Sequence, residues 1–544
     1  MNTTKSEIRN PNPERYPRSE IRNSKPPQAD ACRPCRFRAS GFLRTSDFGL
    51  RTSALALGLS SLLAAAADLK LPAVFTDNAV LQREMPVPVW GWAAPREQVT
   101  VEFAGQKKST TADADGHWSV KLAAMPASAE PRTLSIRAET NWLATPNILQ
   151  LTNVLVGEVW LCSGQSNMEK PIGAQSGQKP TVNALHELAV SADAQIRLFK
   201  VEKTLAATPA RDVKSRGWFV CDSNSLESLK FSAAGYFFGR DIHRDLEVPI
   251  GIIESSWGGT RIEPWTPPVG FKQVKGLADL ANPITLPTGT NKLANTRPTV
   301  LYNAMIAPLV PFALRGALWY QGESNVIDKP DGPVYTDKME ALIRGWREVW
   351  GQGKFPFYYV QLAPYCYFSR RPQSRAPGPE TLAEMWEYQT RALRVPHTGM
   401  AVITDLVDDL SDIHPVRKKE VGHRLALLAL AHDYGRKDRV CSGPMFKSVK
   451  FKEGQAVISF ENLGGGLVCQ DAPALTWFTV AGADGKFVPA DARIAGATVV
   501  VSAKDVPTPK AVRFAWHETA QPNLFNQAGL PAAPFRTDSP KAKK

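Results

Sequence analysis

The sequence predicts an α/β core, a parallel sheet wrapped by helices in three layers, flanked by two small all-β sandwich-like modules. Three observations lead there. Between Val154 and about Gly435, strand-like apolar runs alternate with helical patterns, the arrangement that builds a parallel sheet covered on both faces. Before that, from Leu71 to about Thr152, and again after Cys441, short β-like runs alternate with turns and helical spacing is missing. At 544 residues the chain is also long enough for two to four domains, since single cores stop growing near ~250–300 residues. The expected divisions are a leader over 1–67, a β module over 68–152, the α/β domain over 153–437, a second β module over 438–538 and a basic tail over 539–544.

The leader carries about half of the formal net charge of +13. It repeats its own words: Ser6-Glu7-Ile8-Arg9-Asn10 returns as Ser19-Glu20-Ile21-Arg22-Asn23. Such a segment buries little and is expected to be disordered and unrelated to function. It ends in an uncharged, mostly apolar stretch, Ala54 to Ala67, behind Arg44 and Arg51. That stretch is too short for a bilayer, which takes about 20 apolar residues, and its small-residue end suits signal peptidase. Cleavage near Ala67 and a secreted or periplasmic location are expected, with no stable membrane insertion. The remaining positive charge is spread thinly and not interleaved with aromatics, which argues against a nucleic-acid partner.

Cys32 and Cys35 leave with the leader, and without a second pair they make no zinc site. Cys162, Cys221, Cys366, Cys441 and Cys469 are too few and too widely spaced for a dense disulfide framework. In the first β module, Pro86–Trp92, Val99–Phe103 and Trp118–Leu122 read as strands. Asp113-Ala114-Asp115-Gly116 between the last two reads as a hairpin turn and not as a calcium loop. In the α/β region, Tyr335–Trp346 reads as a helix before the strand Phe355–Leu362. Pro415 is expected to open a helix whose Val421, Leu425 and Leu428 recur at helical spacing, placing His414 against a helix start whose dipole disfavours an imidazolium. In the last module Ala456–Phe460 and Ala497–Val501 read as strands, with Gly464-Gly465-Gly466 as a turn.

Four blocks carry chemistry. They are Val159–Met168, with Gly164-Gln165-Ser166-Asn167; Gly251–Trp265, with Trp257-Gly258-Gly259-Thr260-Arg261; Ala317–Asn325, with Gln321-Gly322-Glu323-Ser324-Asn325; and Thr404–Pro415, with Asp412-Ile413-His414. Each is an apolar strand-like run that ends in small or polar residues. Ligands of open α/β sheets bind beyond the carboxyl ends of strands, so the four ends can converge on one crevice. There they would supply a serine, a glycine pair, an amide and an Asp-x-His. Gly164 allows the tight turn that exposes Ser166 beside free backbone N–H groups.

The order and wording of these blocks resemble the SGNH hydrolases, and more closely the sialate O-acetylesterase family of carbohydrate esterases. The resemblance runs from about Leu71 to Asp538, including Asp77-Asn78-Ala79-Val80-Leu81-Gln82-Arg83 and Gly529-Leu530-Pro531-Ala532-Ala533-Pro534-Phe535-Arg536-Thr537-Asp538. It implies a flavodoxin-like SGNH sheet. It also implies Ser166 as nucleophile, His414 as base, Asp412 as the orienting acid, and Ser166, Gly259 and Asn325 as the oxyanion hole. One departure is that many SGNH hydrolases carry the acid three residues before the histidine, where this chain has Ser411.

Gln165, Trp257, Gly258 and Arg261 are expected to contact substrate or support the site. A sugar offers hydroxyls to amides and guanidinium and an apolar face to an aromatic ring. Glu323 is expected to pair with Arg261 and hold the Asn325 loop, with direct orientation of His414 as the alternative. Trp160, Trp265, Trp319 and Tyr320 read as core. No His-Glu-x-x-His or comparable cluster occurs, so neither a metal nor another cofactor is expected. The implied function is a serine esterase acting on acetylated carbohydrate, sialate first. The alternatives are a xylan or pectin acetylesterase, and a non-catalytic glycan-binding protein on the same scaffold. Nothing in the sequence indicates an oligomeric state.

Overall fold

A computed structural model describes residues 69–139, 146–175, 177–284, 293–327, 329–369 and 377–538. The leader with its apolar stretch, the Cys32/Cys35 pair and the basic tail lie outside the described residues. The strands of the main sheet are β1 (Asn147–Gly164), β2 (Asp193–Val201), β3 (Ser215–Cys221), β4 (Ile250–Ser256), β5 (Gly316–Tyr320), β6 (Phe357–Val360) and β7 (Thr398–Ala401). They lie side by side in the order β7-β6-β5-β1-β4-β2-β3. Every pairing is parallel except that of β2 with β3. The central members β4, β5 and β6 are buried along their whole length, as both faces of a helix-covered parallel sheet must be.

The helices that matter here are α1 (Ser166–Glu169), α2 (Ala233–Leu246), α3 (Glu323–Ile327), α4 (Val334–Trp350), α5 (Thr381–Arg391) and α6 (Lys418–His432). Val421, Leu425 and Leu428 of α6 are buried, as their spacing requires. At Gly422 the helix meets α2 so closely that a Cβ would stand 2.7 Å from the backbone nitrogen of Phe238. Trp265, Trp319 and Trp346 interlock edge to face with centroids 6.3 and 5.9 Å apart. Trp160 and Tyr320 are likewise buried, so these aromatics pack the core.

Strand β1 continues through residues 152 and 153, where the boundary of the first β module was expected, kinked at Asn153 with φ 56°. Its first half pairs with Ser128–Glu139, which pairs in turn with Gln98–Phe103, while Val80–Gln82 lies parallel against its middle. Glu158 fastens that junction from the inside. Its buried carboxylate accepts from Gln82 and Arg83 of the amino-terminal part, Arg315 ahead of β5 and Tyr434 after α6, at 2.5–3.0 Å. These cations hold its pKa below the usual carboxylate value against the opposing effect of burial.

The turn at Asp113 forms, with Oδ1 accepting from the N–H groups of Asp115 and His117. It is not a hairpin turn, however: the strands on either side pair elsewhere, Gln106–Thr111 with Gln98–Phe103 and His117–Leu122 with Val87–Trp92. Toward the carboxyl end of the chain, two four-stranded antiparallel sheets form, one around Gln455–Glu461 and Thr498–Ser502, the other around Phe478–Ala481 and Ala511–Phe514. The five described cysteines are all free thiols.

Candidate active site

Gly164, Ser256 and Tyr320 stand in register, so β1, β4 and β5 end level with one another. Gly164 has φ 141°, and a Cβ there would lie 2.2 Å from the Tyr320 carbonyl oxygen. Only glycine fits so close a turn. The chain then starts α1 at Ser166, whose backbone N–H makes no hydrogen bond to a described residue.

Ser166 Oγ lies 2.9 Å from His414 Nε2. Asp412 Oδ1 accepts the backbone N–H of His414 at 2.9 Å and stands 3.8 Å from its Nδ1. The helix expected to open at Pro415 begins at Lys418, after Arg417 in a non-helical conformation. His414 is therefore outside the first turn of α6, and the expected dipole effect on its imidazole does not apply.

The glycine pair divides its work. Gly258 N–H donates to Glu169 Oε2 at 2.7 Å, and Glu169 Oε1 pairs with Lys203 at 2.5 Å. Gly259 has φ 74°, is exposed, and its N–H makes no hydrogen bond to a described residue. The neighbouring Gly258 lies against Ser166: a Cβ on it would stand 3.2 Å from Ser166 Cβ. Trp257 is half-buried, with the Lys203 ammonium 5.9 Å from its ring centroid.

The amide of Asn325, expected as an oxyanion donor, is engaged elsewhere in the structure. The residue is fully buried and gives its amide hydrogens to Asp331 Oδ2 (2.6 Å) and Glu263 Oε2 (3.3 Å). Its oxygen accepts from Ile262 N–H and Gln321 Nε2. The amide left free is that of Gln165. Its Oε1 accepts from Gln321 Nε2 and from the N–H groups of Gly322 and Ser324 at 3.1–3.3 Å. Two of those donors are backbone groups, which fixes the amide orientation and leaves Nε2 with no described partner beside Ser166.

The expected pairing of Arg261 with Glu323 is also absent. Arg261 donates to Glu263, to Asp331 and to the carbonyls of Ser324 and Lys329, which occupies its guanidinium. No donor remains for a substrate carboxylate, because Glu263 and Asp331 provide the carboxylates nearby. Lys338 of α4 closes the same cluster, 2.6 Å from Glu263 and 2.8 Å from Asp331. Glu323 turns instead to Asn167, 2.5 Å away, and is fully buried. Burial raises its pKa above the usual carboxylate range, against the Asn167 hydrogen bond and the charge of Lys418.

Sequence reasoning missed Glu169, Asn167, Lys170 and Lys418. The first three sit within or directly after the Gly-Gln-Ser-Asn-Met word, and their proximity to Ser166 was the signal available. Lys418 and Lys170 are both fully buried. Burial lowers the Lys170 pKa to about 8, with Asp412 acting against it. It pushes Lys418 well below its ordinary value, helped by the like charge of Lys170. Beyond the carboxyl ends of β4 and β2 lies a cavity of about 310 Å³, lined among others by Ser256, Lys200, Lys203, Arg216 and one acid, Glu202.

Comparison with known proteins agrees with this architecture. Residues 156–431 match the family described as carbohydrate esterase, sialic acid-specific acetylesterase. The sialate O-acetylesterase of Homo sapiens is 32% identical over 403 residues, covering 69% of this chain and 73% of that protein. The enzyme of the same name from Mus musculus is 32% identical over 430 residues, covering 70% and 76%. The crystal structure of a novel carbohydrate acetylesterase from Xanthomonas citri superposes with a TM-score of 0.76 at 38% identity, over 87% of this chain and 100% of that one. A carboxylic ester hydrolase by descent and by fold, the chain belongs to the sialic acid-specific acetylesterase family of carbohydrate esterases.

Proposed function

We propose that this protein is an exported serine esterase that removes O-acetyl groups from sialate. The observation that carries the serine mechanism is the 2.9 Å contact between Ser166 Oγ and His414 Nε2, within the range a general base needs to take the proton. Ser166 Oγ attacks the acetyl carbonyl carbon as its proton passes to Nε2. The resulting oxyanion accepts from the N–H groups of Ser166 and Gly259 and from Gln165 Nε2. Collapse expels the sugar oxygen, which leaves with the proton from Nε2. Water then attacks the acetyl-serine through the same base, releasing acetate and restoring Ser166. Asp412 is the orienting acid: its carboxylate already holds the His414 backbone, and a small rotation closes the 3.8 Å gap to Nδ1.

For the substrate, the relatives of known name support sialate, and so does the cavity beside Trp257. Strands lie about 5 Å apart, so the end of β2 is roughly 10 Å from that of β1, a span a sugar acid can bridge. Arg216 in that cavity has no carboxylate partner among the described residues. Export follows from the stretch 54–67 and is checked by finding the purified exported protein to begin near Asp68. The test of mechanism is Ser166→Ala, which is expected to abolish acetate release from both 9-O-acetylated sialate and an aryl acetate while the thermal transition is retained. Undiminished turnover would remove the mechanism. Faster release from acetylated xylan than from sialate would replace the substrate.

A further inference from the structure

The nucleophile and the base are 248 residues apart in sequence. Neither sits in a long rigid element: Ser166 opens a four-residue helix, and His414 lies in the irregular segment before α6. Their neighbours are tied directly. Asn167, next after the nucleophile, donates from Nδ2 to the carbonyl of Ile413, next before the base, at 2.9 Å. The same nitrogen donates to Glu323 Oε1 at 2.5 Å, and Asn167 Oδ1 accepts from Lys418 Nζ at 2.8 Å.

Every hydrogen-bonding atom of the Asn167 amide is thus engaged, by residues from three separate elements. Asn167, Glu323 and Lys418 are 1%, 2% and 0% exposed, so water cannot substitute for any of them. The Lys418 ammonium also lies 5.1 Å from the centroid of the Tyr320 ring at the end of β5. A buried lysine and a buried glutamate are each costly alone. Joined through one amide, they fix its plane and leave it a single orientation.

We propose that Asn167 is the positioning residue of the hydrolytic dyad, and that Glu323 and Lys418 act only by holding its amide so that it straps the His414 segment to the nucleophile helix. The inference rests on the reading of Ser166 and His414 as nucleophile and base. It assigns Glu323 to the strap and not to the orientation of the imidazole. A shift of about 1 Å between reacting groups costs on the order of a hundredfold in rate, so loss of the strap is read in kcat and not in the affinity for a small ester.

The experiment compares Asn167→Ala, Lys418→Met and the double variant on an aryl acetate, together with the rate at which a fluorophosphonate labels Ser166. Each single variant is expected to lose about 10- to 100-fold in kcat and in labelling rate, with KM within about twofold. The double variant is expected within about threefold of the worse single one, since both break the same strap. Lys418→Gln, which keeps a donor without the charge, is expected to recover most of what Lys418→Met loses. If Asn167→Ala does not fold, the comparison of Lys418→Met with Lys418→Gln decides. A kcat within twofold of wild type in folded Asn167→Ala, multiplicative losses in the double variant, or equal losses in Lys418→Met and Lys418→Gln would each overturn the strap. Activity persisting in Ser166→Ala would overturn the dyad itself, a failure distinguishable from these.

Discussion

Glu169 offers the sharpest test of how the proposed oxyanion donors are placed. Its carboxylate receives the Gly258 N–H at 2.7 Å and the Lys203 ammonium at 2.5 Å, and it is 8% exposed. Glu169→Ala leaves the Gly258 N–H without its acceptor and frees Lys203. A hydrogen bond to a charged group contributes about 1.5–3 kcal/mol, and each 1.36 kcal/mol is tenfold in rate. If that energy is what keeps the Gly258–Gly259 turn in place, the loss in kcat is about 10- to 150-fold. The upper bound is the ~10²–10³ typical of removing one oxyanion donor outright. Glu169→Gln keeps an acceptor oxygen and is expected to lose about fivefold or less. The assay is steady-state hydrolysis of an aryl acetate, whose small acyl group reports donor placement without sugar contacts. A folded Glu169→Ala protein with kcat within twofold of wild type, or a change confined to KM, would refute the reasoning.

Other expectations follow from the same geometry. Gly164→Ala forces a Cβ to 2.2 Å from the Tyr320 carbonyl oxygen at φ 141°, which is expected to cost about 2–4 kcal/mol or more in denaturant unfolding; an unchanged midpoint would contradict the turn. Arg261→Lys should lower stability by about 1–3 kcal/mol and leave the preference between 9-O-acetylated sialate and aryl acetate unaltered. Arg216→Ala should raise KM severalfold for the sialate alone; the opposite pattern in this pair would reverse the assignment of the two arginines. Lys170 has its pKa lowered from 10.5 to about 8 in the folded chain, so between those values the unfolded chain binds the proton that the folded one has released. Stability therefore rises with pH across that window, and burying the charged amine is a penalty present below about pH 8. Wild type should gain Tm relative to Lys170→Met as pH goes from 8 to 10, and parallel curves would refute it.

Much of the site was legible because strand ends announce themselves. The runs Val159–Gly164, Ile250–Ser256 and Gly316–Tyr320 are apolar enough to be central strands, and their parallel alignment brings the residues after them to one edge of the sheet. That is why the segments carrying Ser166, Gly259 and Glu323 come together, whereas His414 reaches Ser166 from the irregular segment after β7, at the far end of the strand order. What the sequence hid were partners chosen by tertiary contact. Asn325 and Gln165 are both amides just past a strand end, and which one stays free depends on where Glu263 and Asp331 fall. Arg261 reads equally well as a substrate clamp or an internal pair until those carboxylates are placed. Lys418 and Lys170 look like solvated charges in a sequence because burial of lysine is rare. The helix start at Lys418 was missed because Pro415 is a good first helical residue whose preference the loop around His414 overrides.

The unbroken run of β1 through Asn153 has a practical meaning for anyone who would trim this protein. A fragment beginning at residue 153 would keep Ser166 but strip half the central strand of its ladder, and would leave the carboxylate of Glu158 inside the protein without Gln82 and Arg83. A trimmed chain is expected to need Val80–Arg83 to fold, and melting should take both parts together in a single transition.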